Sequence, residues 1–377
     1  MTDLIALRHH LHAHPDVSGK EMGTADIIKE FLNTHKPDEL IESVGGHGVV
    51  AIYHGEQEGP GVAFRCELDA LPIQEVNEEL AYRSTRQGVS HKCGHDGHMA
   101  MVASLASKLA DSRPRSGKVM LIFQPAEETG EGARAMMQHD TFSSMNIDYL
   151  FAIHNLPGYP MGAVVLRDGV FASASKGLII HLKGKTSHAA EPEHGLSPDI
   201  AMGEIIVMAK GIVADISLQS FGLCTVVHAS LGSPSFGISP GQATIMCTLR
   251  AHYDQDLKEI ETAIKEESKQ IAFNHHLGIE FDESEAFQST VNDTLCTALI
   301  KTAARRNDYR IERKKEPFRW SEDFGVMTDK WPGAMFGLGA GADTPDLHNP
   351  DYDFPDELIE VGSTMFGELV DLILNDK

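Results

Sequence analysis

The sequence predicts an α/β protein in which a smaller α+β domain is inserted into a larger domain built around a mainly parallel sheet. A chain of 377 residues is too long for one ordinary hydrophobic core. Apolar strand-like segments alternate with helical segments in both terminal parts of the chain, whereas the middle changes to the order β-α-β-β-α-β. We therefore assign residues 1–172 and 288–377 to the larger domain and residues 173–287 to the inserted domain.

The larger domain begins with alternating helices and strands. Apolar residues recur at helical spacing before Pro15, which ends the first helix, and again after His98. Short runs of apolar residues between these helices are typical of buried strands. The predicted elements are a helix at residues 2–14, strands at 49–53 and 62–68, a helix after residue 98, and strands at 118–123 and 149–154. This alternation favours parallel strands flanked by helices.

The inserted domain has the element order of a ferredoxin-like unit, the split βαβ arrangement. Pro198 suits the first turn of its first helix, and Asp254 is expected to cap its second helix. The predicted elements are strands at residues 177–183, 223–229, 243–251 and 279–287, and helices at residues 197–217 and 254–276.

The chain then returns to the larger domain. Trp320–Phe324 is expected to open a short helix with acidic residues in its first turn, which suits the helix dipole. Residues 334–341 are predicted to form a short strand that runs into a glycine-rich loop. No Lys-Ser/Thr follows it, so the nucleotide fingerprints do not fit. We expect this loop, represented by Gly339, to bring backbone N–H groups close to a substrate carboxylate. Helices are predicted at residues 293–307 and 357–374.

Composition excludes several classes of partner. The net charge is −23, from 32 basic and 55 acidic residues, which argues against nucleic acid and anionic membrane surfaces. Five scattered cysteines show no disulfide framework and fit a reducing compartment. We see no signal peptide and no apolar stretch near the ~18 residues of a membrane helix. We therefore expect a cytoplasmic protein.

Residues 91–98, His-Lys-Cys-Gly-His-Asp-Gly-His, place four metal-competent side chains within six positions: Cys93, His95, Asp96 and His98. Cys93 and His95 are two positions apart, so an extended chain presents both on the same side. A helix would separate them, and we expect the pair just before one. Taken alone, the segment is more typical of a polar turn with two glycines than of a metal site.

Further metal-competent side chains follow apolar strands, at Asp69, at the pair Glu127 and Glu128, and at His154. With strand geometry the two glutamates would point in opposite directions and take separate tasks. Like charges this close are costly unless a cation neutralises them. Each of these residues also has a plain alternative: a turn-forming aspartate, a solvated acidic turn and a packed histidine.

Together with His348, these residues combine thiolate, imidazole and carboxylate groups, which suit a pair of borderline transition-metal ions. Two such ions can polarise a carbonyl and activate a water molecule. One carboxylate must stay off the metal to move the proton to the leaving nitrogen. Adjacent glutamates meet that need, one as ligand and one as base.

Several segments, in order along nearly the whole chain, resemble the metal-dependent amidohydrolases of peptidase family M-twenty, subfamily D. They are HKCGHDGHMAM, FQPAEETGEGA, HNLPGYPMG, GKTSHAAEP, SEDFG and DLHNPDYDF. This group contains hippurate hydrolases, aminoacylases, auxin-conjugate hydrolases and N-acetyl-diaminopimelate deacetylases. The resemblance implies a zinc-exopeptidase-like catalytic domain with an inserted lid that commonly dimerises, and therefore a homodimer or a dimer-based oligomer.

The resemblance also implies residue roles. The metal ligands would be Cys93, His95, Glu128, His154 and His348, with Cys93 bridging both ions. Glu127 would be the general base, and Asp69 would orient a ligand. His188 matches a lid histidine that reaches the neighbouring subunit's site and stabilises the oxyanion.

Arg250 matches an arginine near the substrate carboxylate. Gly237 stands where relatives often carry Asn, so this chain departs from the family pattern at a group that donates to substrate. We predict two divalent ions, with zinc first in affinity order over manganese, and nickel or cobalt as alternatives.

The predicted activity is hydrolysis of the amide bond of an N-acyl amino acid or a small peptide-like conjugate. A carboxypeptidase or dipeptidase of the same fold is one alternative. A hydrolase that uses Cys93 as a nucleophile beside a histidine is another. The third is a binding protein that kept the fold and lost turnover.

Overall fold

The computed structural model describes residues 2–375, which form two compact units. The first contains the residues up to Phe171, Thr290–Pro317 and the residues from Glu322 onward, and the second contains Ala172–Ser289 and Phe318–Ser321. We had expected Phe318–Ser321 in the larger domain. It packs with the second unit because the backbone N–H of Ser173 donates to the Phe318 carbonyl at 3.1 Å. The functional roles assigned to the two units stay predictions.

The elements of the first unit before the insertion alternate as follows. The helices are α1 (Thr2–Ala13), α2 (Met22–Thr34), α3 (His95–Asp111), α4 (Gly132–Met137) and α5 (Asp140–Ser143). The strands are β1 (Glu39–Val44), β2 (Gly48–His54), β3 (Gln57–Glu67), β4 (Ser116–Gln124), β5 (Tyr149–Leu156), β6 (Val164–Leu166) and β7 (Gly169–Ala172). The sequence patterns did not indicate α2, α4, α5, β1, β6 or β7.

The remaining elements follow in chain order. The second unit contains β8 (Ala174–Lys183), β9 (Ser187–His188), α6 (Asp199–Gly211), β10 (Gly222–Leu231), β11 (Ile238–Ser239), β12 (Gln242–Ala251), α7 (Asp254–Asn274) and β13 (Gly278–Phe287). The first unit resumes with β14 (Thr290–Asn292), α8 (Thr294–Arg306), β15 (Ile311–Arg313), α9 (Gly325–Thr328), β16 (Gly333–Gly339) and α10 (Glu357–Val370), which continues as a π-helical turn at Asp371–Asn375.

The first unit is organised around an eight-stranded sheet in the order β1-β2-β4-β3-β5-β16-β6-β15. Its four central strands, β4, β3, β5 and β16, are parallel to one another. The antiparallel pairing of β2 with β4 and of β6 with β16 makes the whole sheet mixed. The carboxyl ends of the central strands therefore share one edge, whereas β6 ends at the opposite edge.

The core of the first unit explains why the buried parts of its central strands are mainly apolar. The sheet residues Phe64, Leu121 and Phe151 are fully buried together with residues of α3 such as Met101 and Leu105. Because both faces of the sheet are covered, no polar face is needed. Helix α3 lies in contact with α1 and α10, so almost its whole circumference is apolar or small.

The second unit has the predicted split βαβ arrangement, with a four-stranded antiparallel sheet in the order β10-β12-β8-β13. Ile180, Ile205, Ile245 and Ile260 from strands and helices form its core. One prediction was wrong in detail, since Asp254 is the first residue of α7 and not its cap. Its carboxylate accepts the backbone N–H of Ser289 at 3.0 Å instead.

No helix within residues 2–375 is both long and apolar enough to cross a membrane.

Candidate metal centre

The segment after Lys92 turns the chain so that Cys93 and His95 face the same buried space. Gly94 adopts a left-handed conformation with φ 90° and caps α3, and a Cβ atom there would lie 2.7 Å from the Asn155 side chain. His95 is the first residue of α3, so only Cys93 precedes the helix. The His95 Nδ1 donates to the Asp69 carbonyl at 2.8 Å, which directs Nε2 into the site.

The two adjacent glutamates follow β4 in a turn, in which Ala126 has φ 48°. Glu127 Oε2 and Glu128 Oε1 each lie 3.8 Å from the Nε2 of His95. The prediction that they point in opposite directions was wrong, because the turn replaces the strand geometry on which it rested. The backbone N–H of Glu128 donates to Asp69 Oδ2 at 3.0 Å, so Asp69 holds this turn as well as His95.

Two further histidines complete the cluster. His154 Nε2 lies 3.6 Å from Cys93 Sγ, although β5 continues to Leu156 and does not end at His154 as expected. His348 has φ 67° and places its Nε2 3.7 Å from Glu128 Oε2. Its side chain keeps 52% of its surface exposed, so it is the open side of an otherwise buried cluster.

Two of the groups of three donor residues share Cys93. Cys93, His95 and His154 offer ligand atoms within 4.8 Å of one another, and so do Cys93, Glu128 and His348. These are the five residues that the sequence predicts as ligands. The shared thiol lies in both groups, which is the arrangement a bridging ligand needs.

The residues present fit a pair of divalent ions. His95 Nε2 and Glu128 Oε1 are buried and have no hydrogen-bond partner among residues 2–375. A buried polar atom left unpaired costs about 1–3 kcal/mol, and a bound cation would remove that cost for both. Imidazole, thiolate and carboxylate donors are those that zinc and its neighbours prefer.

The charge of the site favours the same conclusion. Burial, together with the charges of Glu322 and Glu128, raises the pKa of Glu127. Burial also raises the pKa of Glu128 to about 7. Burial opposes protonation of His95, but Asp69 and the nearby carboxylates outweigh it and raise the pKa of His95 to about 10. The site therefore holds an excess of negative charge that protons or metal ions must balance.

Sequence analysis missed the charged residues beneath the site. Arg65 is fully buried in β3 and donates to Glu322 at 2.8 Å, to Asp323 at 2.7 Å and to Glu67. Glu322 and Asp323 precede α9, which begins at Gly325, so they are not in its first turn as expected. They lie close to Glu127. The available signal was a charged pair, Arg65 and Glu67, inside an otherwise apolar strand.

Two of the four residues in the central segment are engaged elsewhere. Asp96 accepts hydrogen bonds from Arg8 at 2.9 Å and from His12 at 2.8 Å. His98 lies 2.6 Å from both Glu67 Oε2 and Asn155 Oδ1, so both of its ring nitrogens have partners. These hydrogen bonds connect the first turn of α3 to α1, β3 and β5.

The expectation for Gly339 was wrong. This residue is buried in β16, its N–H donates to the Ala163 carbonyl at 2.8 Å, and its carbonyl accepts the N–H of Gly162 at 2.8 Å. The N–H of Gly341 is also engaged, with the Tyr159 carbonyl. No backbone donor is left at Gly339 for a substrate carboxylate. Glycine is required there because a Cβ atom would lie 2.0 Å from the Pro160 carbonyl oxygen.

His188 and Arg250 lie in the second unit. His188 is exposed on β9, which pairs with β11, and its Nδ1 accepts the N–H of Ala190 at 3.0 Å. Gly237 precedes β11, and its carbonyl accepts the N–H of Ala189 at 3.1 Å. Arg250 donates to the Arg319 carbonyl and the Ser321 hydroxyl, both at 3.1 Å. Its guanidinium therefore anchors a neighbouring segment of the same unit.

Known proteins resemble the chain over most of its length. The family model described as Peptidase family M20/M25/M40 matches residues 63–372. An N-acetylcysteine deacetylase of Bacillus subtilis (strain 168) is 30% identical over 376 residues, covering 99% of this chain and 97% of the relative. A hippurate hydrolase of Campylobacter jejuni is 29% identical and covers 96% of this chain and 94% of the relative.

A solved structure gives the same result for the fold. A Bacillus subtilis protein described as a dinuclear metal binding peptidase superposes with a TM-score of 0.83 at 28% identity, covering 99% of this chain and 98% of the other. The donor cluster, the buried polar atoms without hydrogen-bond partners and the similarity to known proteins all indicate a metal-dependent hydrolase. The protein is a hydrolase of amide bonds, and it belongs to peptidase family M20/M25/M40.

Proposed function

We propose that the protein hydrolyses the amide bond of N-acyl amino acids or small peptide-like conjugates. The observation that carries this proposal is the buried cluster in which Cys93 contributes to two donor groups, with the carboxylate of Glu127 beside it. The relatives support the substrate class, because they are named as deacetylases of N-acetyl amino acids and as a hippurate hydrolase.

The chemistry follows from the division of labour among the residues. Two divalent ions, when bound, polarise the amide carbonyl and acidify a water molecule. Cys93, His95, Glu128, His154 and His348 would hold them. Glu127 takes the proton of the attacking water and passes it to the leaving nitrogen, which needs that proton to depart as an amine.

Glu127 is suited to this proton transfer by its surroundings. Its carboxylate lies close to those of Glu322 and Asp323, so a proton accepted there relieves repulsion between buried negative charges. Asp69 acts as a positioning residue. Its carboxylate accepts the backbone N–H of Glu128, and its backbone carbonyl accepts the Nδ1–H of His95. We propose zinc as the first of the candidate metals, followed by manganese, nickel and cobalt.

The second unit would supply substrate contacts and a dimer interface. Ile200 and Val207 on α6 have 61% and 74% of their surfaces exposed, and the sheet-edge strand β10 exposes Val227. Exposed apolar side chains beside an unpaired strand edge favour association with a second copy. We propose that His188 then stabilises the oxyanion in the neighbouring subunit's site, and that Arg250 faces the substrate carboxylate. We also propose a cytoplasmic location.

The alternative in which Cys93 is the nucleophile is less well supported. Burial, with the charges of Glu128, Glu127 and Glu67, raises the pKa of the Cys93 thiol, which is opposite to what a thiolate nucleophile requires. Burial also lowers the pKa of the adjacent His154 to about 3, so that it would not act as the cationic partner.

The proposed function is tested by a substrate screen with and without metal. Purified protein would be stripped with a chelator, reloaded separately with zinc, manganese, cobalt or nickel, and assayed on N-acetyl, N-benzoyl and N-succinyl amino acids and on dipeptides. We expect activity on at least one N-acyl amino acid that chelation abolishes and metal restores. Activity that survives complete metal removal would indicate the cysteine mechanism. Cleavage of dipeptides alone would indicate a dipeptidase, and the absence of turnover would indicate a binding protein.

A further inference from the structure

A pocket of about 260 Å³, separate from the candidate metal centre, lies in the first unit and is lined in part by basic side chains. Four of the residues around it are cationic, against one carboxylate, although the chain as a whole has 32 basic and 55 acidic residues. The cations are Arg167, Lys301, Arg313 and Lys314, and the carboxylate is that of Asp168. This concentration of positive charge runs against the composition of the chain.

Three elements of the fold bring these cations together. Strands β6 and β15 are parallel neighbours, with Arg313 opposite Leu166, so both strands end at the pocket. Arg167 and Lys314 directly follow those ends. Helix α8 contributes residues at positions i, i+3, i+4 and i+7, which form one helical face. They are Thr294, Thr297, Ala298 and Lys301.

Most of the cations have no carboxylate partner. Among residues 2–375, no carboxylate lies within ion-pair distance of Arg167, Lys301 or Arg313. Arg167 donates from Nη1 to the backbone carbonyls of Asp168 and Val170, but its Nε is buried without a partner.

The cations also repel one another. Burial and the nearby Arg167 lower the pKa of Lys314. The Asp293 carboxylate caps α8 by accepting the backbone N–H of Cys296 at 2.9 Å, and it does not line the pocket. An anion in the pocket would relieve this repulsion and supply the missing hydrogen-bond acceptors.

The pocket is separate from the candidate metal centre. Strand β6 runs antiparallel to β16, with Gly337 opposite Val165, so its carboxyl end lies at the opposite edge of the sheet from the carboxyl ends of the central strands. His154 and the turn of Glu127 lie at the latter edge. A ligand bound beside Arg167 would therefore be distinct from a substrate at the metal centre.

We propose that this pocket binds a small dianion of the phosphate class, either inorganic phosphate or a phosphomonoester. Two guanidinium groups and two ammonium groups approach from three separate segments, which matches the several acceptor oxygens of a tetrahedral phosphate better than one planar carboxylate. The volume is slightly below the range of about 300–1,000 Å³ typical of drug-sized ligands, so the anion is small.

The test is calorimetric titration of the metal-loaded enzyme with inorganic phosphate and, separately, with succinate, at constant ionic strength. Lys301→Glu and Arg313→Glu each reverse a charge that makes no ion pair, and we expect each to weaken phosphate binding at least about tenfold. Lys315→Glu is the matched control, because Lys315 is an exposed neighbour that does not line the pocket. It should change the affinity by less than about twofold, since exposed charges are screened. Lys301→Gln serves as a milder variant, with circular dichroism confirming the fold of each.

Two responses distinguish phosphate bound at the metal ions from phosphate bound in the pocket. Binding at the metal ions should disappear on chelation and should not change in Lys301→Glu. Saturable binding that survives chelation and is lost in both pocket variants supports the proposal. The proposal would be overturned if phosphate does not bind, or if its affinity is unchanged in both pocket variants. It would also be overturned if Lys315→Glu lowers the affinity as much as the pocket variants do, or if succinate binds as tightly as phosphate.

Discussion

The backbone N–H of His348 donates to the carbonyl of Lys92 at 2.8 Å, which joins two ligand-bearing segments that are far apart in sequence. The Lys92 side chain strengthens the same connection, because its fully buried Nζ donates to the Tyr352 carbonyl and to Glu75 Oε1, both at 2.6 Å. Lys92, the residue before Cys93, thus holds the His348 loop through both its backbone carbonyl and its side chain.

Replacement of Lys92 should therefore loosen the His348 side of the metal centre. Lys92→Met leaves Glu75 buried beside His12 without its ammonium partner, and we expect a loss of about 3–5 kcal/mol of unfolding free energy. We also expect fewer metal ions retained per chain after dialysis, as measured by elemental analysis. Lys29→Met is the control, because Lys29 pairs with Asp26 and Glu42 at the surface and should change stability by less than about 1 kcal/mol. Full metal retention in Lys92→Met would contradict this role.

Glu127 and Glu128 should respond differently to the same substitution. Glu127→Gln removes the proton acceptor but keeps the size of the side chain, so turnover should fall by about 10²–10⁴ while metal content persists. Glu128→Gln removes a proposed ligand charge, and metal content should fall with activity. Steady-state kinetics and elemental analysis on the two variants separate these outcomes. Glu127→Gln protein that retains normal activity would remove Glu127 from the base role.

The position of a residue in this centre was predictable where local backbone geometry decides it, and was not predictable where packing between distant segments decides it. The position of Cys93 just before a helix was predictable from the local sequence, whereas His95 is already the first residue of α3. The directions of Glu127 and Glu128 were not predictable, because the left-handed Ala126 turns the chain away from strand geometry. A single residue in the left-handed conformation produces no periodic pattern of apolar residues from which the turn could be predicted.

Long-range ion pairing was equally hidden from the sequence. Arg65 contacts Glu322 and Asp323, which follow it by more than 250 positions, and nothing local to either segment requires the pairing. From the sequence alone, Glu322 and Asp323 instead resembled the acidic first turn of a helix. The β-α-β-β-α-β order of the second unit was predictable because it depends on local apolar patterns. In the first unit, elements such as α2 and β1 were missed, and the mixed direction of the sheet depends on how β2 and β6 pair.

Arg65 should be more important for stability than any surface arginine. It is the cation that balances Glu67, Glu322 and Asp323 inside the first unit, so Arg65→Met leaves buried carboxylates uncompensated. We expect a loss of at least about 3–5 kcal/mol in chemical denaturation, or failure to fold. Arg310→Met, which breaks an exposed pair with Glu312, should cost less than about 1 kcal/mol. Equal effects of the two substitutions would show that the buried network contributes little.

The stability of the protein should depend on pH through His12. Burial opposes its protonation, but hydrogen bonds to Asp96 and Glu75 outweigh burial and raise the pKa of His12 above its usual 6.5. Because the folded protein binds this proton more tightly than the unfolded chain, the contribution of His12 is fully present below pH 6.5 and is lost as the pH rises through the raised pKa. His12→Gln should therefore cost most stability in acid and least in alkali, as measured by urea denaturation from pH 5 to pH 9 (about the range in which histidines titrate). His54→Gln, which removes an exposed histidine paired with Glu39, is the control and should follow the parent protein throughout. A difference between His12→Gln and the parent that grows with pH would show that burial dominates and that His12 is held neutral.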